Sequence, residues 1–478
     1  MSLKLPSAIS LFDINRSITR ERATSYAARV QYSLLDRYLF TGSVRRDGAS
    51  VFGRENKWAT FPSAALAWRI NEESFMESTK DWLDMLKLRL SYGVVGNWAI
   101  PAYRTLGLSN SYEYLFDGKL TIGYLPSSQL QNLGLKWETT GSFNTGLDFI
   151  FLNGRISSTL EFYNTHTDNL LIQRSIPSLT GYSTMWDNLG KTKSQGLEIA
   201  VNTRIIDKKD FSLNIGANFS KQKNEIVEID GRVDETGKPI NDIDNNWFIG
   251  EPINVRYQYV FNGIWQEDEI EELNKMSEEE QQKFFLPGDA TPTAGYIKLA
   301  DYNGDGKITE DDRKIFNLDP EWYASFNLDL YYKGIDLSAE FYTVQGVQKY
   351  NPFLGSFNQG GTLNGRLNGM KVNYWTPTAE GVPSNRSNEA PKPLYTGSVP
   401  WFPVLGMQDA SYFRMRSLTL GYTLPKEITQ NVGVERLRLY ATGTNLFTIT
   451  DYKSYSPESD ADAYPEPQLF TFGINLTF

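Results

Sequence analysis

The last ten residues, Leu469 to Phe478, alternate: Phe470, Phe472, Ile474, Leu476 and Phe478 fall on one side of an extended strand, and Leu469, Thr471, Gly473, Asn475 and Thr477 on the other. A strand that keeps one face apolar and ends on an aromatic residue, here Phe478, is what a transmembrane β-barrel's closing strand requires. The same ten residues also suit the edge strand of a soluble sandwich. The decision between the two rests on how often the pattern recurs.

It recurs throughout. Tyr26, Ala28, Val30, Tyr32 and Leu34 share one face, a tight turn follows, and the chain returns through Tyr38 to Arg45. Gly48 to Lys57 reads as a polar loop before Ala64, Leu66, Trp68 and Ile70. Leu86, Leu88, Leu90, Tyr92 and Val94 oppose Lys87, Arg89, Ser91 and Gly93, and charges on the second face imply water there. After an irregular region from Gly96 to Lys136, Phe143 to Phe151 and Ile156 to Phe162 flank the hairpin signal Asn153-Gly154. Leu197 to Ile205, Phe211 to Phe219, Trp322 to Tyr332, Ile335 to Phe341, Leu418 to Leu424 and Leu437 to Ala441 repeat the design. The total is about thirteen strands of roughly ten residues, the length a tilted strand needs to cross a bilayer, whereas soluble strands cluster near five or six.

The connections alternate between turns of about two to five residues and loops of tens of residues, as short periplasmic turns and long extracellular loops do. The pattern therefore predicts an all-β, antiparallel transmembrane barrel across residues 1–478, with an extracellular loop over 267–320. About thirteen strands would leave two unpaired edges in lipid, so this chain should be part of a larger barrel.

Composition narrows the function. There is no cysteine, which removes disulfides, thiolate metal sites and thiol nucleophiles, and with His166 as the one histidine no polyhistidine metal centre exists. No apolar run is long enough for a transmembrane helix, and a mean hydropathy of -0.42 is what alternation produces. The net charge of -10 argues against nucleic acid as a partner. Residues 1–22 show no basic, apolar and small-residue succession, so an export signal is expected outside this chain. No carboxylate pair, GxGxxG or Walker A run stands out, and His166 reads as an ordinary exposed residue; the expectation is no enzyme.

Two groups of residues carry candidate binding chemistry. Asp301, Asn303 and Asp305 have the spacing of calcium-loop positions 1, 3 and 5. Gly306 allows the turn, the Lys307 carbonyl takes position 7, Ile308 anchors the loop, Thr309 takes position 9 and Asp312 position 12. Asp312 stands where an EF-hand usually has glutamate, and the same residues would also make an acidic turn that binds nothing. Trp98, Trp186, Trp247, Trp265, Trp375 and Trp401 lie in long loops, where flat rings can stack on sugars or simply pack the loops. Lys87, Arg89, Asp148, Glu161, Glu198, Arg204, Asp329, Asp336 and Glu340 are expected on the water side, mostly paired.

The runs RYLFTGSVRRDGASVFG, KWATFPSAALAWRINEESFM, LKLRLSYGVVGN, LKWETTGSFNTGLDF, NLGKTKSQGLEIAV, DYNGDGKITEDDRKI, SYFRMRSLTLGYTLP, LRLYATGTNLFTITDY and FTFGINLTF resemble the C-terminal part of SusC/RagA-type TonB-dependent outer-membrane transporters, almost from end to end. The resemblance implies a 22-stranded barrel around an N-terminal plug, of which about nine strands, the plug and the TonB box are not in this chain. It implies outer-membrane lipid around the barrel, contact with TonB through the missing N-terminal part, and a SusD-like surface lipoprotein as lid. The implied function is uptake of oligosaccharides or peptides, and a calcium-type loop outside the barrel fits the comparison. A siderophore or cobalamin receptor of the same wider class, and a soluble carbohydrate-binding β protein, are the alternatives.

Overall fold

The computed structural model describes every residue except 1–17, 178, 180, 357–372, 380, 382, 395–398, 430–432 and 461–462. Most of the segment weighed as an export signal thus lies outside the described residues. Thirteen strands carry the architecture: β1 (Ala23–Leu34), β2 (Tyr38–Ala49), β3 (Trp58–Arg69), β4 (Leu83–Asn97), β5 (Glu138–Phe151), β6 (Ile156–Asp168), β7 (Lys191–Lys208), β8 (Phe211–Glu228), β9 (Trp322–Tyr332), β10 (Ile335–Gln345), β11 (Tyr412–Thr423), β12 (Arg436–Thr450) and β13 (Leu469–Thr477). They form one sheet in chain order without a crossover, as the alternation predicts.

Register shows why the sequence pattern is so regular. Ile215 faces Leu328, which faces Ala339, and Phe326 faces Phe341, while Asn214 faces Asp329 and Asn327 faces Glu340 on the opposite side. At the C-terminal end Leu437, Leu439 and Ala441 meet Leu476, Ile474 and Phe472. The apolar faces do not meet each other in a dry interior: Phe470, Phe472 and Ile474 are 63%, 80% and 63% exposed. Left in water, each such side chain would forfeit about 1.5–3 kcal/mol of burial, so this face calls for an apolar solvent. Phe478 follows the last paired residue and is 86% exposed.

On the polar face, tyrosines lie across glycines of the neighbouring strand. A Cβ at Gly473 would come within 2.3 Å of the Tyr440 ring, and one at Gly196 within 2.4 Å of Tyr163. The bare backbone is what lets the rings lie flat along the wall.

Three expectations need correction. Two connections on the short side are not tight turns: residues 70–82 hold the 3-10 segments Ile70–Glu72 and Ser74–Thr79, and residues 424–435 hold the helical turn Lys426–Thr429. The first is fastened by Trp68 Nε1, which donates to Glu73 at 3.0 Å, and by Asn71, whose Oδ1 accepts from the Leu86 N–H at 3.2 Å. The Gly48 to Lys57 loop is not wholly polar, since Val51 and Phe52 are buried with Phe61, Leu135 and Trp137. The region from Gly96 to Lys136 contains a hairpin, Ser109–Phe116 with Lys119–Pro126, in which each residue pairs in unbroken antiparallel register.

Packing divides the chain into two compact units, one of Met1–Leu66, Leu90–Phe143 and Thr165–Thr192, the other of Ala67–Arg89, Asn144–Asn164 and Lys193–Phe478. The first is centred on the cluster around Phe52 and Trp137, whose rings lie 5.2 Å apart. In the second, the long β8–β9 and β10–β11 connections share a core of Tyr259, Ile264, Leu286, Ile297, Trp375 and Phe402 with their neighbours. That loop body carries the short helices Glu267–Leu273 and Glu278–Gln281, each with a capping box.

Candidate functional site

The polar wall of the second unit is built from neutralised charges. Arg89 on β4 donates through Nε and Nη2 to Asp148 on β5 at 2.8 and 2.9 Å, and Nη2 also reaches Glu161 on β6 at 2.5 Å. Lys87 adds a 3.6 Å contact to Asp148. Asp336 pairs with Arg438, Glu340 lies 3.8 Å from Arg416, Asp329 accepts from Ser338 at 2.6 Å, and Arg204 contacts Asp207 at 3.1 Å. These groups keep partial access to solvent, so each pair contributes modestly to stability. Their collective effect is a hydrated wall with little unpaired charge, as the alternation of Lys87 and Arg89 with leucines implies.

Two cavities open on this wall and share Tyr323 and Tyr342. The smaller, about 320 Å³, is bordered by Thr159, Glu161, Glu198, Asn218, Ser220 and Ser325. The larger, about 490 Å³, adds Pro320, Gln348, Lys349, Tyr350, Tyr412, Pro457 and Glu458. Cations hold the rings in place: Arg416 lies 4.3 Å over Tyr342 and Arg256 3.9 Å over Tyr350.

The rim of the larger cavity is tied by Arg414, which is only 4% exposed. Its Nη1 donates to Glu458 at 2.5 Å, its Nε to Thr448 at 2.8 Å, and its Nη2 lies 3.6 Å from Glu466. The Tyr412 hydroxyl also donates to Glu458. Lys349 donates to the carbonyls of Pro457, at 3.3 Å, and of Ser459, and burial lowers its pKa below the usual lysine range. Sequence reasoning missed this cluster. Tyr412 and Arg414 stand out in the YFRMR run, but no local rule links them to Glu458 and Glu466, more than forty positions away in a loop.

Such walls offer ring faces, hydroxyls and amides, the groups that hold sugars or peptide backbones by stacking and hydrogen bonding. The six loop tryptophans behave differently. Trp265 and Trp375 are 7% and 3% exposed, and Trp375 Nε1 donates to Gln266 at 3.0 Å. Trp401 meets Tyr259 edge-on at 5.1 Å and donates to Asp289 at 2.6 Å. Trp98 and Trp186 pack against the cluster around Phe52 and Trp137. Trp247 is half-buried in a turn closed by paired backbone hydrogen bonds with Asp242 at 2.8 and 2.9 Å. Trp375 packs within the loop core, whereas Trp265 and Trp401 line a small cavity of about 70 Å³ with Phe284, Leu286 and Tyr296. His166 is exposed on β6.

In the Asp301–Asp312 loop, the carboxylates turn inward onto backbone N–H groups. Asp301 accepts from Gly304, Asp305 and Gly306 at 2.7, 3.2 and 2.8 Å. Asp312, fully buried, accepts from Tyr302, Asn303 and Thr309 at 2.8, 3.2 and 2.7 Å. Asn303 accepts from the Asp305 N–H at 2.9 Å and Asp305 from that of Lys307 at 3.1 Å. Thr309 caps the 3-10 turn Glu310–Asp312 through its hydroxyl. The Gly306 N–H, with those of Gly304 and Asp305, holds the Asp301 carboxyl below the usual range. A carboxyl depressed in the folded state stabilises above its unfolded pKa, and that support is lost as pH falls through the lowered value. The loop is therefore expected to loosen in acid, which amide exchange of Gly304 and Gly306 at falling pH would detect. Among the described residues no group of three or more His, Cys, Asp or Glu side chains converges as a metal-holding set.

A meander of long strands, apolar on one face and hydrated on the other, with its loops concentrated at one end, defines an outer-membrane β-barrel. Comparison with known families is specific: residues 5–446 match the model for "TonB dependent receptor-like, beta-barrel", and the chain belongs to that family. It is 31% identical over 95% of its length to the TonB-dependent receptor P3 of Formosa agariphila, covering 45% of that protein. It is likewise 31% identical over 96% of its length to the TonB-dependent receptor SusC of Bacteroides thetaiotaomicron, covering 44% of it. Among solved structures, the RagAB peptide transporter superposes with a TM-score of 0.74 at 26% identity, over 96% of this chain and 48% of that one. The chain thus spans about half the length of the proteins it matches, and its family is one of outer-membrane β-barrels.

Proposed function

We propose that this chain is the greater part of the barrel wall of an importer that takes up oligosaccharides or peptides, working with a SusD-like surface lipoprotein and driven through TonB. The observation that carries the reading is the pair of cavities sharing Tyr323 and Tyr342 on the hydrated wall, because ring faces beside amides and hydroxyls suit neutral, hydrogen-bonding solutes. Likeness to SusC and to the RagAB peptide transporter supports the same solute classes. Solute captured beneath a lid would pass along this wall while a plug, supplied outside this chain, is displaced.

The test is growth of a strain lacking the full-length receptor gene, complemented with the wild-type gene or with Tyr323→Ala/Tyr342→Ala. Growth on oligosaccharide or peptide mixtures should require the wild-type gene and slow severalfold with the double variant. Loss of growth on ferric chelates alone would overturn the reading in favour of a siderophore receptor.

We also propose that the Asp301–Asp312 loop takes calcium outside the barrel, on the strength of its oxygen donors at positions 1, 3, 5 and 12. Binding requires Asp301 and Asp312 to exchange some N–H partners for the ion. At calcium 100-fold above Kd the bound form gains about 2.7 kcal/mol, so the purified receptor should melt higher in calcium than in chelator, and Asp301→Asn should abolish the difference. Equal melting in both conditions would remove calcium from the account.

A further inference from the structure

The face that touches lipid ends in a basic patch. On β8 the side chains of Phe211, Leu213, Ile215, Ala217 and Phe219 form the apolar row, and alternation then places Lys221, Lys223 and Glu225 on the same face. The register confirms the placement, since Lys221 lies opposite Trp322 on β9 and Phe219 opposite Ala324. From the neighbouring β7, Lys193 comes within 3.8 Å of Glu225, and Lys223 lies 3.4 Å from the same carboxylate. Lys221 has no ion-pair partner among the described residues. With Lys193 and Lys223 sharing one glutamate and Lys221 beside them, the group is net positive in a chain whose net charge is -10.

Its height on the wall is set by strand geometry. A strand rising about 3.3 Å per residue and tilted about 40° climbs about 25 Å between Phe211 and Lys221, the thickness of the apolar band of such barrels. Aromatic pairs mark both borders: Phe211 with Tyr332 at 6.0 Å beside the short turn, Phe219 with Trp322 at 5.8 Å beside the long loop. Lys221 therefore stands where hydrocarbon gives way to headgroups on the loop side, and Lys223 and Lys193 stand just above it. Lysines there carry their stems in the apolar layer and their ammonium groups among headgroup anions.

We infer that Lys193, Lys221 and Lys223 dock the phosphate-bearing headgroup of an outer-leaflet glycolipid against the outside of the barrel. A single shared carboxylate leaves two net cations for the ligand, and a phosphate within reach of several ammonium groups answers that charge.

The test uses the full-length receptor in phosphatidylcholine nanodiscs containing one-tenth lipid A, with receptor-retained lipid counted by native mass spectrometry after detergent release. Wild-type receptor should retain lipid A, and the variant carrying Lys193→Gln, Lys221→Gln and Lys223→Gln should retain roughly 10-fold less or lower still, the weight of two net cations at a charged surface. Dephosphorylated lipid A should be lost from the wild type to the same degree. Lys208→Gln/Lys209→Gln, at the turn end of β7, should retain as the wild type does. Equal retention by the triple variant, or equal retention of the dephosphorylated lipid, overturns the inference. So does displacement of lipid A by millimolar inorganic phosphate, which would mark an ion site rather than a lipid surface. A folded triple variant is verified by its heat-modifiable gel mobility. If that variant fails to fold, the dephosphorylated-lipid arm on wild-type receptor decides alone.

Discussion

Leu328→Arg is expected to cost about 2–4 kcal/mol of barrel stability, while Asn327→Arg, one position along the same strand, costs under about 1 kcal/mol. Leu328 sits mid-band between Ile215 and Ala339, so an arginine there must shed its hydration into hydrocarbon. Asn327 faces the water-filled side opposite Glu340, where a guanidinium finds both water and a counter-charge. Unfolding of the full-length receptor by guanidinium in detergent micelles or liposomes, followed by loss of folded mobility on unheated gels, separates the two. Equal losses for both substitutions would mean that the two faces do not differ in solvent.

The second large effect is expected at Arg414. Removing its side chain in Arg414→Ala leaves Glu458 and Glu466 without their shared cation at a site where the guanidinium is 4% exposed. Stranding a buried charge costs about 3–5 kcal/mol, and because the glutamates keep 27% and 29% of their side-chain surface the lower end applies, about 3 kcal/mol. The loss should be local. The 451–468 loop should become open to protease while β11 and β12 stay protected, and Tyr412→Phe should cost only about 1 kcal/mol by removing one hydrogen bond to Glu458. Unchanged proteolysis of the loop in Arg414→Ala would show that other contacts hold it.

Strand faces were legible from sequence because a bilayer and a water-filled interior impose opposite demands on alternate residues, and no tertiary detail is needed to read them. The row Phe470, Phe472, Ile474, Leu476 emerges with the pairing partners that the pattern on β12 suggests. Paired charges such as Arg89 with Asp148 were legible as a class, since charges facing water on adjacent strands find one another, although which partners met required the register. The loops were opaque for a physical reason. Their core joins residues as distant as Trp375 and Gln266, and side chains chosen to pack a long insertion look the same in sequence as side chains chosen to touch a ligand. Tryptophans drew attention for their flat faces, yet Trp375 spends its faces inside the protein. The tyrosines lining the cavities were hidden among strand residues, because Tyr323 and Tyr342 gain meaning only when β9 and β10 pair.

All of these expectations depend on hydrocarbon touching one side of the sheet and water the other. No cysteine occurs in these 478 residues, so single cysteines introduced at 326 through 330 can be spin-labelled without a competing thiol from this part of the receptor. In liposomes, labels at Phe326, Leu328 and Leu330 should be relaxed by oxygen, which concentrates in lipid, and those at Asn327 and Asp329 by a water-soluble nickel chelate. Labels at 326, 328 and 330 that neither reagent reaches would place the apolar side chains in a dry protein interior and contradict the barrel.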